Sequence, residues 1–404
     1  MSNSIQSNSL SMIVPLVLFS SFMIMQANFL VLPSLAIYIS EEFSLSNHDV
    51  SIVLASFSIA VCVSNFCWSR VLDRFNRKKI LLVGGFLVSG VFLLTSLVSG
   101  IHSLILSRLL MAVVMPMMGA SILPFVADMY EPKDRPRIMG YVMSAGYVVS
   151  LALIPLVILV SDHYSWRLVV IGLAAFTLVT FATAYLGLPT PADPQPKQAE
   201  SGHGVKVFSP ENRTTLLMLI RKFLQTASIF AIFTVYPTWL HSGSHGGSFS
   251  SSTMALIFFV SGVLGFLGSM VSGRLNDLLS RIATRVESLM SVSGLCAAFC
   301  ILVPIFGKGL PIYQFLTYAP MIFFQSISVV LLMNSLIASA PVMARGYINA
   351  MSNIVFQAGI AVGSYVGFWI FEQFSITAVF VVAGVLLVSS AIEGSPKTEA
   401  VHEG

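Results

Sequence analysis

The sequence predicts an all-α membrane protein of twelve transmembrane helices in two pseudo-symmetric six-helix bundles. Three observations predict it. Charged residues make up only 9% of the chain and hydrophobic ones 56%, whereas a soluble domain carries about 25% charged residues. Mean hydropathy is +0.88. Twelve stretches free of Asp, Glu, Lys and Arg are long enough to cross the hydrocarbon of a bilayer, and the second six repeat features of the first. Gly and Ser are frequent inside these stretches and strict alternation is absent, which disfavours a β-barrel.

In chain order, the first element is the whole N-terminal run up to Ser40. Val50 to Trp68, Ile80 to Ile101, Leu109 to Ala127, Ile138 to Ser161 and Leu168 to Leu188 complete the first six. Phe223 to Leu240, Ser252 to Ser272, Ser288 to Phe306, Pro311 to Ala340, Gly346 to Phe371 and Ile376 to Ile392 form the second six. Residues 189–213 cluster Pro, Gly and charge, as a linker between two halves does. The expected organisation is therefore a bundle at 1–188, a cytoplasmic linker at 189–213, a bundle at 214–393 and a cytoplasmic tail at 394–404. The N-terminal run lacks a basic start and is too long for a signal peptide, so it is expected to stay as the first helix.

Cations collect on the cytoplasmic side of membrane proteins. Here they collect after the second, fourth, sixth, eighth and tenth stretches: Arg70, Arg74, Arg77, Lys78 and Lys79, then Lys133, Arg135 and Arg137, then Lys197, Lys206 and Arg213, then Arg274, Arg281 and Arg285, then Arg345. Arg167 and Lys308 fall on the opposite side. Both termini are thus expected in the cytoplasm of a cell whose inner membrane holds the chain. The net charge of +4 calls for no nucleic-acid partner, because topology accounts for it. Cys62, Cys67, Cys296 and Cys300 lie within helices and read as small packing residues rather than metal ligands or disulfides.

The halves share a repeat. "FLVLP" at Phe29–Pro33 aligns with "FTVYP" at Phe233–Pro237, and "SRVLD" at Ser69–Asp73 with "GRLND" at Gly273–Asp277, both 204 residues apart. Arg137 and Arg345, each ahead of a helix carrying Gly146 or Gly359, have nearly the same spacing. With these features the chain resembles the major facilitator superfamily of secondary transporters, distantly its twelve-helix drug:proton antiporter branch. The family's loop signature is G-x-L-x-D-R-x-G-R-[RK]. This chain supplies Asp73, Arg74, Arg77 and Lys78, with Ser69 and Asn76 at usual glycine positions; the second copy keeps Gly273, Leu275, Asp277 and Arg281. "SWR" at Ser165–Arg167 is another frequent family feature. The resemblance implies a conformational latch in which Asp73 meets the N-terminal end of the eleventh helix and Arg77 reaches toward Asp128, with Arg74, Gly273, Asp277 and Arg281 completing the two loops.

An ionisable residue at membrane depth is costly and points to function. Arg108 lies about six residues, ~9 Å, into the fourth helix at 1.5 Å per residue. It either snorkels to the outer interface or serves coupling and substrate. The antiporter branch places an arginine here in R-x-x-x-G, where this chain has Ala112. Arg221 and Lys222 read as anchors at the cytoplasmic interface, ~24 Å from Pro237, and only secondarily as a cavity floor. No Asp, Glu or His falls mid-helix; Asp128 and Glu372 are at ends. Neutral polar groups at central depth, Gln26, Asn28, Gln225, Gln325, Asn353 and Gln357, with Tyr147 as an aromatic wall, are candidate substrate contacts; Asn353 and Gln357 are four apart, on one face. Gly359, Gly363 and Gly367 read as close helix packing. The branch's G-x-x-x-G-P-x-x-G-G is broken in the fifth helix, where Ser150 and Leu151 replace Gly-Pro.

The expected function is a secondary active transporter that moves a small neutral, zwitterionic or anionic organic solute across the inner membrane by alternating access, with substrate near the midplane. The alternative is a proton-coupled multidrug or metabolite efflux antiporter. An intramembrane enzyme lacks any catalytic pair in the helices, and a non-transporting sensor on the same fold would bind solute without moving it. The partners are a small-molecule substrate and the lipid bilayer, with a monomer expected. No metal or cofactor is called for; a proton gradient stays open as the driving force.

Overall fold

The computed structural model describes residues 2–71, 76–131, 134–189, 213–241, 249–279, 283–302, 311–338 and 345–392. Among them there is no strand. The helices are α1 (Ser2–Phe43), α2 (Asn47–Val71), α3 (Arg77–Ser96), α4 (Ile101–Met129), α5 (Arg135–Val148), α6 (Ile154–His163), α7 (Trp166–Gly187), α8 (Arg213–His241), α9 (Ser251–Leu279), α10 (Ala283–Leu302), α11 (Pro311–Ala338), α12 (Arg345–Gln373) and α13 (Ile376–Ile392). Among the described residues ten helical spans are long and apolar enough to cross a membrane, α5 and α6 counting as one, and Ser288–Leu302 and Ile376–Ala391 are shorter apolar helices. The twelve-helix reading fits. The chain divides into two compact units, Met1–Glu200 with Ser250–Phe259, and Ser201–Phe249 with Val260–Gly404.

In the first unit, local chemistry sets the helix ends. Ser44, at φ 53, takes the left-handed conformation that closes α1, and the Leu45 N–H returns to the Ser40 carbonyl (2.9 Å). Two residues on, Ser46 and Asp49 exchange side chain to backbone bonds, Asp49 accepting from Ser46 N (3.0 Å) and donating to Ser46 Oγ (3.2 Å). That is a capping box opening α2. Asn76, at a usual glycine position, caps α3 by accepting from Lys78 N (3.0 Å). Between α5 and α6 the residues Val149–Leu153 form a π-helical turn, and the Ile154 N–H reaches the Val149 carbonyl. Pro155 supplies no N–H to this ladder and crowds the preceding turn, which gives the bulge its cause.

The antiparallel pair α3 and α7 is tied at both ends by a cation placed on its neighbour's C-terminus. At one end the Lys78 ammonium donates to the Leu188 carbonyl that caps α7. At the other, Arg167 on the first turn of α7 donates from Nε to the Ser96 carbonyl (3.1 Å) and from Nη2 to the Val98 carbonyl (2.8 Å). Helix C-termini carry unsatisfied carbonyls and partial negative charge, so each cation meets the end that attracts it. Arg167 also pairs with Glu42 at the end of α1, and Trp166 Nε1 donates to the same carboxylate (2.5 Å). Between the ties, Ser89 Oγ donates to the Ala174 carbonyl (2.9 Å), and a methyl at Gly85 would stand 2.3 Å from the Phe181 ring.

In the second unit α8 and α12 lie backbone to backbone. A methyl added at Gly363 would sit 2.3 Å from the Ala227 carbonyl oxygen, and one at Gly367 would sit 2.5 Å from that of Ala231. Gly359 leaves room in the same way for Thr226. This is the small-residue packing that membrane helices use, since lipid tails compete for every larger apolar side chain. Below it Met218, Leu219, Met290, Leu331, Leu332 and Ile348 form a core. Tyr236 on α8 stacks on Tyr318 of α11 at 4.1 Å between ring centroids.

The glycine contact yields a paired prediction for the melting temperature of purified protein. Gly363→Ala is expected to cost roughly 1–3 kcal/mol by overpacking. Gly90→Ala, where a methyl meets nothing within 4 Å, should be neutral or stabilising by about 0.5–1 kcal/mol. Equal melting temperatures for Gly363→Ala and wild type would show that α8 and α12 do not approach this closely.

Candidate functional site

In the first unit the candidate polar residues lie on α1, α4 and α5, with Phe57 of α2 against Arg108. Arg108 on α4 is only 4% exposed, so it does not snorkel to an interface. Its Nη2 donates to the backbone carbonyl of Asn28 (2.9 Å), and its guanidinium carbon lies 4.3 Å from the centroid of the Phe57 ring. Pro33 stands inside α1, five residues beyond this acceptor. Arg108 Nε is buried without an acceptor, and Asn28 Oδ1 without a donor, while Asn28 Nδ2 is spent on the Ile24 carbonyl (3.0 Å). Gln26 is half-buried; Gly146 makes room for it, since a methyl there would meet Gln26 Nε2 at 3.1 Å. Tyr147 follows on α5 and is half-buried.

In the second unit the sequence expectation for Arg221 and Lys222 is overturned. Both are buried, at 2% and 8% exposure. Lys222 is eight residues inside the span Thr214–His241, about 12 Å along the helix. The two neighbours face different surroundings. Arg221 Nη2 donates to Ser291 Oγ on α10 (2.8 Å) and to the Ala391 carbonyl (3.3 Å) in the last turn of α13. It thus lies against a helix C-terminus, where a cation belongs. Lys222 Nζ instead donates to Ser352 Oγ on α12 (2.5 Å) and to the thioether Met333 Sδ on α11 (3.0 Å), and stands 5.6 Å from the centroid of Phe356.

Gln225, one turn on from both cations, donates from Nε2 to Ser328 Oγ (2.8 Å) and leaves Oε1 buried without a donor. Gln357 Oε1 is also buried and unsatisfied, and Gln325 has neither its Nε2 nor its Oε1 in a hydrogen bond. Asn353 is exposed although Gln357, four residues later, is buried, so the two do not share one environment. Of the latch residues, Asp73, Arg74 and Arg281 lie outside the described residues; Asp128, Gly273 and Asp277 are placed only as helix positions, and Arg77 opens α3, half-buried. The four cysteines are free thiols; Cys67 is exposed and the others half-buried.

Magnitudes show what these groups lack. Moving a charge into a protein interior costs several kcal/mol even after relaxation. A hydrogen bond to a charged group returns about 1.5–3 kcal/mol, and a desolvated cation–π contact about 2. Arg108 has one of each and Lys222 has one good acceptor, a weak sulfur acceptor and a ring. Neither meets a carboxylate among the described residues. A bound anion would complete either site. Histidine, cysteine, aspartate and glutamate form no metal-holding group among the described residues.

Polar and ionisable groups buried within membrane spans point to a functional site. The family model for the Major Facilitator Superfamily matches residues 17–318, and the chain belongs to that family of secondary transporters. It is 23% identical over 262 residues to a hexuronate transporter of Bacillus subtilis (strain 168), a match covering 63% of this chain and 61% of that protein. It is 23% identical over 239 residues to multidrug resistance protein 1 of the same organism, covering 58% of this chain and 59% of that protein. The matched region thus spans about three-fifths of each relative. In fold, the chain superposes on a crystal structure of the nucleoside transporter NupG with a TM-score of 0.75, at 16% identity over 95% of this chain and 98% of that one.

Gln325 gives the prediction specific to this geometry. An amide buried with neither atom bonded costs about 1–3 kcal/mol for each orphaned group. Gln325→Leu is therefore expected to raise the melting temperature of ligand-free protein. A fall would show that the amide has a structural partner.

Proposed function

We propose that the chain is a secondary active transporter that moves a small neutral, zwitterionic or anionic organic solute across the inner membrane by alternating access, working as a monomer with both termini in the cytoplasm. The observation that carries the reading is Arg108: a guanidinium buried within a span, its Nε unsatisfied, and no described carboxylate against it. In a low-dielectric surrounding such a group attracts an anion and repels a cation, and it cannot give up its proton to act as an exchange site. Gln26, Asn28 and Tyr147 in the first unit, and Gln225, Gln325, Asn353 and Gln357 in the second, are the proposed neutral contacts. The relative named for hexuronate, a sugar acid, supports an anionic solute. The relative named for multidrug resistance supports the second reading, a proton-coupled efflux antiporter.

The latch enters as part of the same proposal. Asp73 is an acid among the cations of a cytoplasmic loop, where topology alone gives it no role. Asp73→Asn and Arg77→Ala are expected to insert normally and to lose transport; transport by Asp73→Asn equal to wild type would remove the latch. For the site, Arg108→Ala should abolish binding of the transported solute and Arg108→Lys restore only part of it, because the bidentate fork is lost. Saturable uptake of a permanently cationic dye into proteoliposomes, unchanged by Arg108→Ala, would contradict the anionic reading and favour the antiporter.

A further inference from the structure

Arg221 and Lys222 are adjacent in sequence and equally deep, yet the protein treats them differently. Arg221 is tied to the framework through Nη2, which joins α8 to Ser291 and to the Ala391 carbonyl of α13, while its Nε is buried without an acceptor. Lys222 points the other way, to α11 and α12, and what surrounds it is poor in acceptors. An ammonium has three donors and no acceptor capacity. One is taken by Ser352 Oγ at 2.5 Å and one by the sulfur of Met333 at 3.0 Å, a weak acceptor, while Phe356 offers a ring face at 5.6 Å. The Ser352 hydroxyl in turn directs its own hydrogen at Met333 Sδ (3.5 Å), a bond it gives up at little cost. One ammonium donor and one hydroxyl donor are therefore free to be redirected to a single acceptor group. No described carboxylate pairs with Lys222.

We propose that Lys222 and Ser352, against Met333 and Phe356, form a binding site for the oxyanion group of the transported solute, a carboxylate or phosphate carried on an apolar or aromatic skeleton. The inference rests on the transporter reading and adds to it a second cationic contact, in the second unit, independent of Arg108. The site takes one anionic group, since it offers one charge and one hydroxyl. The thioether and the phenyl ring favour a skeleton that is flat or apolar next to that group. Lysine suits a point contact of this kind, where arginine would fix a planar pair. Anionic lipid is the other source of the same chemistry.

The test uses full-length protein in phosphatidylcholine nanodiscs, with benzoate as the anionic probe and benzamide as its neutral counterpart, read by thermal unfolding. A ligand that binds the folded state raises apparent stability. Benzoate is expected to raise the melting temperature of wild type and benzamide to leave it unchanged. Lys222→Met should be at least as heat-stable as ligand-free wild type, because an unpaired buried charge has been replaced by an apolar chain of similar length, and should no longer respond to benzoate. Lys222→Arg should keep part of the response, and Ser352→Ala should weaken it several-fold. Arg221→Met, by contrast, should lower the melting temperature.

Four results would overturn the inference. They are no benzoate shift in wild type, a ligand-free Lys222→Met less stable than wild type, a shift that survives Lys222→Met but is lost in Arg108→Ala, and stabilisation through Lys222 by phosphatidylglycerol in place of benzoate, which would assign the group to lipid. A benzoate shift that depends on Lys222 in a protein that moves no solute into liposomes would sink the transporter reading and leave the site standing.

Discussion

A guanidinium or ammonium inside a hydrocarbon layer persists only where the protein replaces the water it has lost. That constraint organises this structure. Five cations, two in the first turns of helices and three deeper in the spans, show how it is met. Arg167 has Glu42 and two carbonyls from the end of α3. Lys78 has the carbonyl that ends α7. Arg221 has a serine and a carbonyl in the last turn of α13. These three hold helices together. Arg108, with one backbone carbonyl and one phenyl face, is left short, and so is Lys222, with a hydroxyl, a sulfur and a ring. Nε of Arg221 is buried without an acceptor, as Nε of Arg108 is; what separates the two is the number of framework acceptors each already holds.

The same constraint decided how much the sequence could say. Twelve spans were legible because hydrocarbon imposes both a length and an absence of charge, and Pro33 and Pro237 were legible as a repeat because each stands at the same place within a half's first helix. The depth of Arg108 was legible from its distance to the loop. Its partner was not: the acceptor is the main-chain carbonyl of Asn28, which no side-chain pattern announces. Lys222 and Arg221 were misread because distance along an axis says nothing about which way a side chain turns. Their partners, Ser291, Ser352 and Met333, are residue types that fill membrane helices everywhere. The exposure of Asn353 beside the burial of Gln357 is a similar failure, since equal helical phase does not give equal cover near a helix's contact edge.

The π-helical turn of residues 149–153 shows the opposite case. The sequence marks the stretch as a break in the antiporter branch's pattern, at Ser150 and Leu151. The structural consequence comes from Pro155, four residues later, whose missing N–H permits the wider turn. Bulges of this kind re-aim the residues around them. The half with the π turn is also the half in which Gly146 lets Gln26 lie against α5. In the other half the corresponding work is done by three glycines in α12 that bring its backbone onto α8.

The central claim is that cations short of partners inside the spans select an anionic solute. The most direct measurement is a thermal-shift screen of purified protein against carbon skeletons each offered as acid, amide and amine. The account predicts that stabilising compounds are acids and that their amides and amines are inert. Stabilisation by amines, with their acids inert, would contradict it.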